Sequence, residues 1–128
     1  MREELLIKLS MLEEQAKEIS EKIRAIDNQI NEMEALKLSL IKMEKSKGKE
    51  MLAPVGRGIF LKTEVKDEKV FVNVGSRILV KKSFSEAAEI VDGQISELNG
   101  IKVELMGNLN EINENLTSLI EEAKKSED

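Results

Sequence analysis

"VGRGIFLK", residues 55–62, and "VGSRILVK", residues 74–81, share Val, Gly, Ile, two further apolar residues and Lys at an offset of nineteen. That internal similarity predicts two related β-hairpins. In "GIFLKTEV" Ile59, Leu61, Thr63 and Val65 alternate with Phe60, Lys62 and Glu64, and in "KVFVNV" Val70, Val72 and Val74 alternate with Phe71 and Asn73. This is the two-residue period of strands. A polar turn around "KDE" links the two runs, and a short strand over residues 51–55 completes the first hairpin. The only proline, Pro54, suits a sheet edge or strand start, because it cannot donate to a central ladder. "VGSRILVKK" adds a further strand, with Gly75 and Ser76 forming a tight turn of the Gly-Ser kind.

On either side the period changes from two to seven. Leu5, Leu12, Ile19, Ile26, Met33 and Leu40 lie at strict sevens, with Leu9, Ala16, Ile23 and Ile30 as companions. A broader stripe drifting at 3.6 would mark an ordinary surface helix; the strict seven favours a supercoil. Lys37 falls where an apolar residue is due, so Leu36, Leu40 and Met43 read as a seam advanced by a three-residue stammer. "EKSKGKE" closes the helix, with Lys45 and Lys47 at its negative end and Gly48 as terminator.

After the hairpins, "SFSEAAEIV" starts a second helix with Ser83 or Ser85 as N-cap and Glu86 in the first turn. Its seam runs Phe84, Ala88, Val91, Ile95, Leu98, Lys102, Leu105, Leu109, Ile112, Leu116, Leu119, Ala123. Gly93, Gly100 and Gly107 recur at sevens on the outermost heptad position, either as unconstrained surface or as the mark of a pliable arm. Each helical arm of about forty residues extends roughly 60 Å. Neither can bury its seam alone, so the nearest partner is the other arm, folded back antiparallel. The expected fold is α+β: a long antiparallel coiled coil, helices over 1–47 and 84–125, with two β-hairpins over 51–82 at its hub end.

Composition narrows the function. Of 128 residues 35% are charged and three are aromatic, all Phe, which is the balance of long helices rather than of a compact globule. No apolar run approaches the roughly 18 residues of a membrane span, and "MREELLIKLSML" lacks the apolar core of a signal peptide. With neither His nor Cys, the usual bases, nucleophiles and transition-metal ligands are missing. Glu3, Glu4, Glu13, Glu14, Glu121 and Glu122 fall on solvated coiled-coil faces, and "VGRG" and "VGSR" do not continue into a phosphate loop. The expectation is a non-enzyme with no cofactor and no metal. Residues 45–82 carry ten Lys or Arg against four acids, and the remainder ten against twenty-one. The basic hub lacks the stacking aromatics of a nucleic-acid platform, so it is expected to meet acidic partner surface. Four short strands with no covering helix expose edges and apolar faces, which predicts pairing with the same segment of other chains.

Helix, two hairpins, helix, with "APVGRGIFLKTEV" at the first turn and "VNVGSRILVKKSFSEAAEIV" entering the second helix, resembles the alpha class of prefoldin subunits. Pro54, Val55, Gly56, Gly58, Phe60 and Lys62 match the family's first hairpin pattern, and Val74, Gly75, Val80, Lys81, Glu86 and Ala87 the second. Two hairpins mark the alpha rather than the beta class. The sequence departs from the pattern at Arg57, where a small residue is usual between the glycines, and at Arg77, where a second Gly is common.

The resemblance implies a cytoplasmic hetero-hexamer of two alpha and four beta subunits, its hairpins joined in β-barrels through residues such as Pro54, Val55, Gly56, Gly58, Phe60, Val70, Val72, Val74, Gly75 and Val80. It implies an ATP-independent chaperone that holds non-native clients at its arm tips and passes them to a group II chaperonin, with no nucleic-acid or membrane partner. An antiparallel hairpin brings the chain's two ends together, so the candidate tip residues are Met1, Leu5, Leu6, Leu9, Met11, Leu116, Leu119, Ile120 and the neighbouring Ala123. Leu6, Met11 and Ile120 lie off the seam and are expected to be exposed. The competing reading is a structural coiled-coil adaptor or oligomerisation module that holds no client.

Overall fold

A computed structural model describes residues 2–126, in the order α1 (Arg2–Met43), β1 (Glu50–Gly56), β2 (Ile59–Glu64), β3 (Lys69–Asn73), β4 (Leu79–Ser83) and α2 (Phe84–Ser126). The described residues divide into two compact units, residues 2–31 with 96–126 and residues 32–95. No helix among the described residues is long and apolar enough to cross a membrane.

The first unit is an antiparallel coiled coil. Leu5, Leu9, Leu12, Ala16, Ile19, Ile23 and Ile26 of α1 are half-buried and Ile30 is buried, while Leu98, Lys102, Leu105, Leu109, Ile112, Leu116, Leu119 and Ala123 of α2 are half-buried. Every one of these positions belongs to the seven-residue seam, and the solvent side is polar at almost every other step. One seam residue is charged. Lys102 lays its stem along the seam and carries its Nζ to Asp27 Oδ1 at 2.7 Å, which keeps the ammonium at the edge of the apolar stripe.

The second unit repeats that device. Lys37, half-buried in the seam between Met33 and Leu40, reaches Asp92 Oδ1 at 2.7 Å. The stammer expected around Lys37 is therefore absent: Leu36 is 47% exposed, and the original register continues through Leu40. A lysine can occupy a seam position because only its head needs solvent. The helix ends at Met43, short of the expected 47. There the Ser46 hydroxyl and the Ser46 N–H both donate to the Met43 carbonyl, at 2.6 and 3.1 Å. Gly48 then turns the chain at φ 84 and donates to Val65 O at 2.7 Å, tying the end of α1 to the end of the first hairpin.

β1 pairs only with β2, and β3 only with β4, both antiparallel, so the "KDE" segment links two separate sheets rather than turning one strand onto the next. Pro54 sits opposite Phe60 on an edge strand, followed by an irregularity in register at Val55. The first turn centres on Arg57 and Gly58, at φ 49 and 80. The second differs from the expected Gly75–Ser76 turn by one residue: Ile78 N–H donates to Gly75 O at 2.9 Å, which puts Ser76 and Arg77 at the centre, at φ 50 and 61. Both are thus turns of the primed kind, whose twist suits adjoining strands.

α2 starts with a capping box. Glu86 N–H donates to Ser83 Oγ at 3.0 Å, and Ser83 N–H donates to Glu86 Oε1 at 3.2 Å. The Ser83 N–H first, and the Ser83 hydroxyl second, hold the Glu86 carboxyl below its ordinary range. Phe84, Ala87, Ala88 and Val91 follow as the buried core of this unit.

Candidate functional sites

Two groups of residues were singled out by sequence, and each falls within one unit. At the chain-end part of the coiled coil, Leu5, Leu9, Leu116 and Leu119 are half-buried in the seam, whereas Leu6, Met11 and Ile120 are 59%, 58% and 46% exposed. Met1 lies outside the described residues. The pair Lys102–Asp27 sets the local register: eighteen residues back from Asp27 is Leu9, and eighteen forward from Lys102 is Ile120. Leu6 and Ile120 each directly follow a seam leucine, so they share one flank of the helix pair.

Ile7, not among the sequence candidates, is 60% exposed. It lies four residues before Met11, on the same helical face, and makes a second exposed apolar pair. Its signal was present in the sequence as an aliphatic residue at the outermost heptad position. Further along α2, Ile101, Val103 and Met106 are also exposed off the seam.

The hairpins carry the other group. In β1–β2 the facing pairs Ala53–Leu61 and Met51–Thr63 lie on one face, and Pro54–Phe60 and Leu52–Lys62 on the other. Neither face is covered: Leu52, Val55, Ile59, Phe60 and Leu61 are all exposed by more than half. Lys62 bridges to Glu50 at 3.0 Å across the strands, with both side chains largely exposed, and adds little to stability. An isolated two-stranded hairpin is marginal in water, and this one carries exposed apolar residues on both faces.

The second hairpin is better supported. Val70, Val72 and Val80 are half-buried, while Phe71, Val74, Ile78 and Leu79 point outward. Leu36 and Leu40 of α1, Val70, Phe71 and Val72 of β3, and Ala87, Ile90 and Val91 of α2 surround an open apolar recess of about 400 Å³. Lys81 of β4 pairs with Asp67 in the inter-hairpin link, holding that carboxyl below its ordinary range, and its ammonium lies 5.9 Å from the Phe71 ring centroid. Gly56, Gly58 and Gly75, expected as assembly residues, all have positive φ and serve the two turns.

Among the described residues the arrangement offers no enclosed polar cleft with convergent acid, base or nucleophile. What it offers is apolar surface: uncovered strand faces on one unit, and aliphatic side chains beside the ends of a helix pair on the other.

Comparison with known proteins gives a consistent picture. The family described as "Prefoldin subunit" matches residues 12–126. Among curated relatives, "Prefoldin subunit alpha" of Thermofilum pendens is 34% identical over 113 residues, spanning 87% of this chain and 88% of that protein. "Prefoldin subunit alpha 1" of Methanocaldococcus jannaschii is 31% identical over 108 residues, spanning 80% of this chain and 76% of its own. The fold resembles that in the cryo-EM structure of filamentous PFD from Methanocaldococcus jannaschii, with a TM-score of 0.79 at 23% identity over 90% of this chain and 97% of that one.

Proposed function

The chain belongs to the prefoldin family, as an alpha-class subunit, and on that premise we propose that it holds non-native proteins, without ATP, on the exposed apolar residues at the chain-end part of its coiled coil. The observation that carries this reading is the exposure of Leu6, Ile7, Met11 and Ile120 beside a seam that already buries Leu5, Leu9, Leu116 and Leu119. Residues needed only for helix pairing would lie in the seam. Flexible aliphatic and methionine side chains with no fixed socket suit a binder that must accept many sequences.

The hairpins serve assembly. Two uncovered faces on the first hairpin and the open recess beside the second support a hetero-hexamer of two alpha and four beta subunits, joined in β-barrels through Pro54, Val55, Phe60, Val70, Val72, Val74 and Val80. The complex works in the cytosol and delivers its clients to a group II chaperonin. No step is catalytic.

The test removes residues 1–9 and 118–128 from the chain within the assembled complex. The complex is expected to lose its ability to delay aggregation of an unfolded test protein while its mass by native mass spectrometry shows every subunit present. Full protection by the trimmed complex would refute the assignment, and binding of a single folded partner with no protection of unfolded protein would favour an adaptor.

A further inference from the structure

The two hairpin turns are equivalent under the nineteen-residue offset: Gly56 corresponds to Gly75, Arg57 to Ser76, Gly58 to Arg77 and Ile59 to Ile78. Each turn has two central residues at positive φ, and each places one arginine there, Arg57 at φ 49 and Arg77 at φ 61. Glycine is the residue such positions favour, and Gly58 shows it in use beside Arg57. The chain therefore keeps arginine twice against the preference of its own backbone, and strain of that kind points to a use.

Neither guanidinium has an ion-pair or hydrogen-bond partner among the described residues, although Lys37, Lys62, Lys81 and Lys102 all have carboxylates. Beside each arginine stand two exposed aliphatics at equivalent positions, Val55 and Ile59 at 68% and 63%, Val74 and Ile78 at 54% and 57%. Aliphatic contact area around an arginine is the composition of an interface anchor, whereas a solvated turn needs no aliphatics. The charge balance names the complement: residues 45–82 are basic, ten to four, so an acidic surface is attracted and a basic one repelled. Arginine rather than lysine at both turns suits carboxylate, which its planar fork can grip with two hydrogen bonds.

We infer that Arg57 and Arg77 select the partners of this chain, each hairpin tip setting its guanidinium on a carboxylate at the rim of an apolar socket on an adjoining subunit. The inference rests on the hairpin-mediated assembly proposed above. It accounts for an arginine at a positive-φ turn centre in both hairpins.

The test uses Arg57→Gly and Arg77→Gly in the full chain, because glycine relieves the backbone while removing the charge. A role confined to the turn predicts an unfolding midpoint that holds or rises and assembly that is unchanged. Partner selection predicts the same midpoint behaviour together with about tenfold weaker binding to a coexpressed beta-type prefoldin subunit for each arginine, and a smaller salt dependence. Arg77→Lys, which keeps the charge and the strain but loses the fork, is expected to bind with intermediate affinity. Unchanged affinity in both glycine variants overturns the inference and leaves the assembly reading standing; failure of the wild-type chain to bind any beta-type subunit overturns both.

Discussion

Replacing Lys102 by leucine should make the coiled coil more stable and less discriminating. The Lys102 side chain is 31% exposed and that of its partner Asp27 is 44% exposed. Full burial of a leucine is worth about 1.5–3 kcal/mol, so covering roughly two thirds of it contributes about 1–2 kcal/mol. Against this stand the lysine stem, which already covers part of the same surface, and an ion pair open to solvent that contributes about 0.2–1 kcal/mol. The net gain is about 0.5–1 kcal/mol, a rise of about 2–4 °C in the unfolding midpoint followed by the helical circular-dichroism signal. Lys37→Leu should behave alike. In the double variant the seam is apolar at every step, and the charged seam residues that penalise other registers are gone. Arm-to-arm association, read from the concentration dependence of sedimentation, is therefore expected to increase. A lowered midpoint in Lys102→Leu, or a double variant that associates no more than wild type, would refute the view that these lysines serve register rather than stability.

Ser83→Ala removes one arm of the capping box and should destabilise the second unit by about 1 kcal/mol, measured by chemical denaturation; no change would mean that the cap contributes nothing. Glu86 and Asp67 both titrate below their ordinary ranges, through bonds from Ser83 and from the Lys81 ammonium respectively. A depressed folded-state pKa gives stability that is present above the unfolded value and lost as pH falls through the folded one. The midpoint should therefore decline on acidification below the ordinary Glu86 value of 4.5, and Glu86→Gln should flatten that decline; a midpoint that rises with acid contradicts the assignment. A Cβ added at Gly93, Gly100 or Gly107 meets nothing within 4 Å, so the triple alanine variant should gain about 2–3 kcal/mol in thermal unfolding. Retained aggregation suppression in that variant would mark the glycines as unconstrained surface, and lost suppression with intact assembly would mark a pliability that holding requires.

The seam was legible almost residue by residue, because burial in a helix pair must recur at steps of three and four and the apolar residues from Leu5 to Ile30 and from Phe84 to Leu119 follow that rule. Lys37 was the exception. A lysine in a seam looks like a break when judged by its charged end, yet its stem is apolar and Asp92 receives the ammonium. The two hairpins were visible through alternation and through their mutual similarity. The centre of the second turn was displaced by one residue, since the preference for glycine at such centres points to Gly75 and Ser76, whereas the hydrogen bonds place Ser76 and Arg77 there. Ile7 escaped notice because a single aliphatic on the solvent side is ordinary in any helix; it gains meaning only beside Met11 and the other exposed residues of that end.

The most direct measurement of the central claim is the aggregation of a denaturant-unfolded test enzyme, followed by light scattering without nucleotide, in the presence of the complex assembled from this chain and a beta-type subunit. The chain is compared with its Leu6→Ser/Met11→Ser/Ile120→Ser variant, whose seam is untouched. A long delay is expected with wild type, a much shorter one with the variant, and the same assembly mass for both. Equal protection by the two complexes would contradict the central claim.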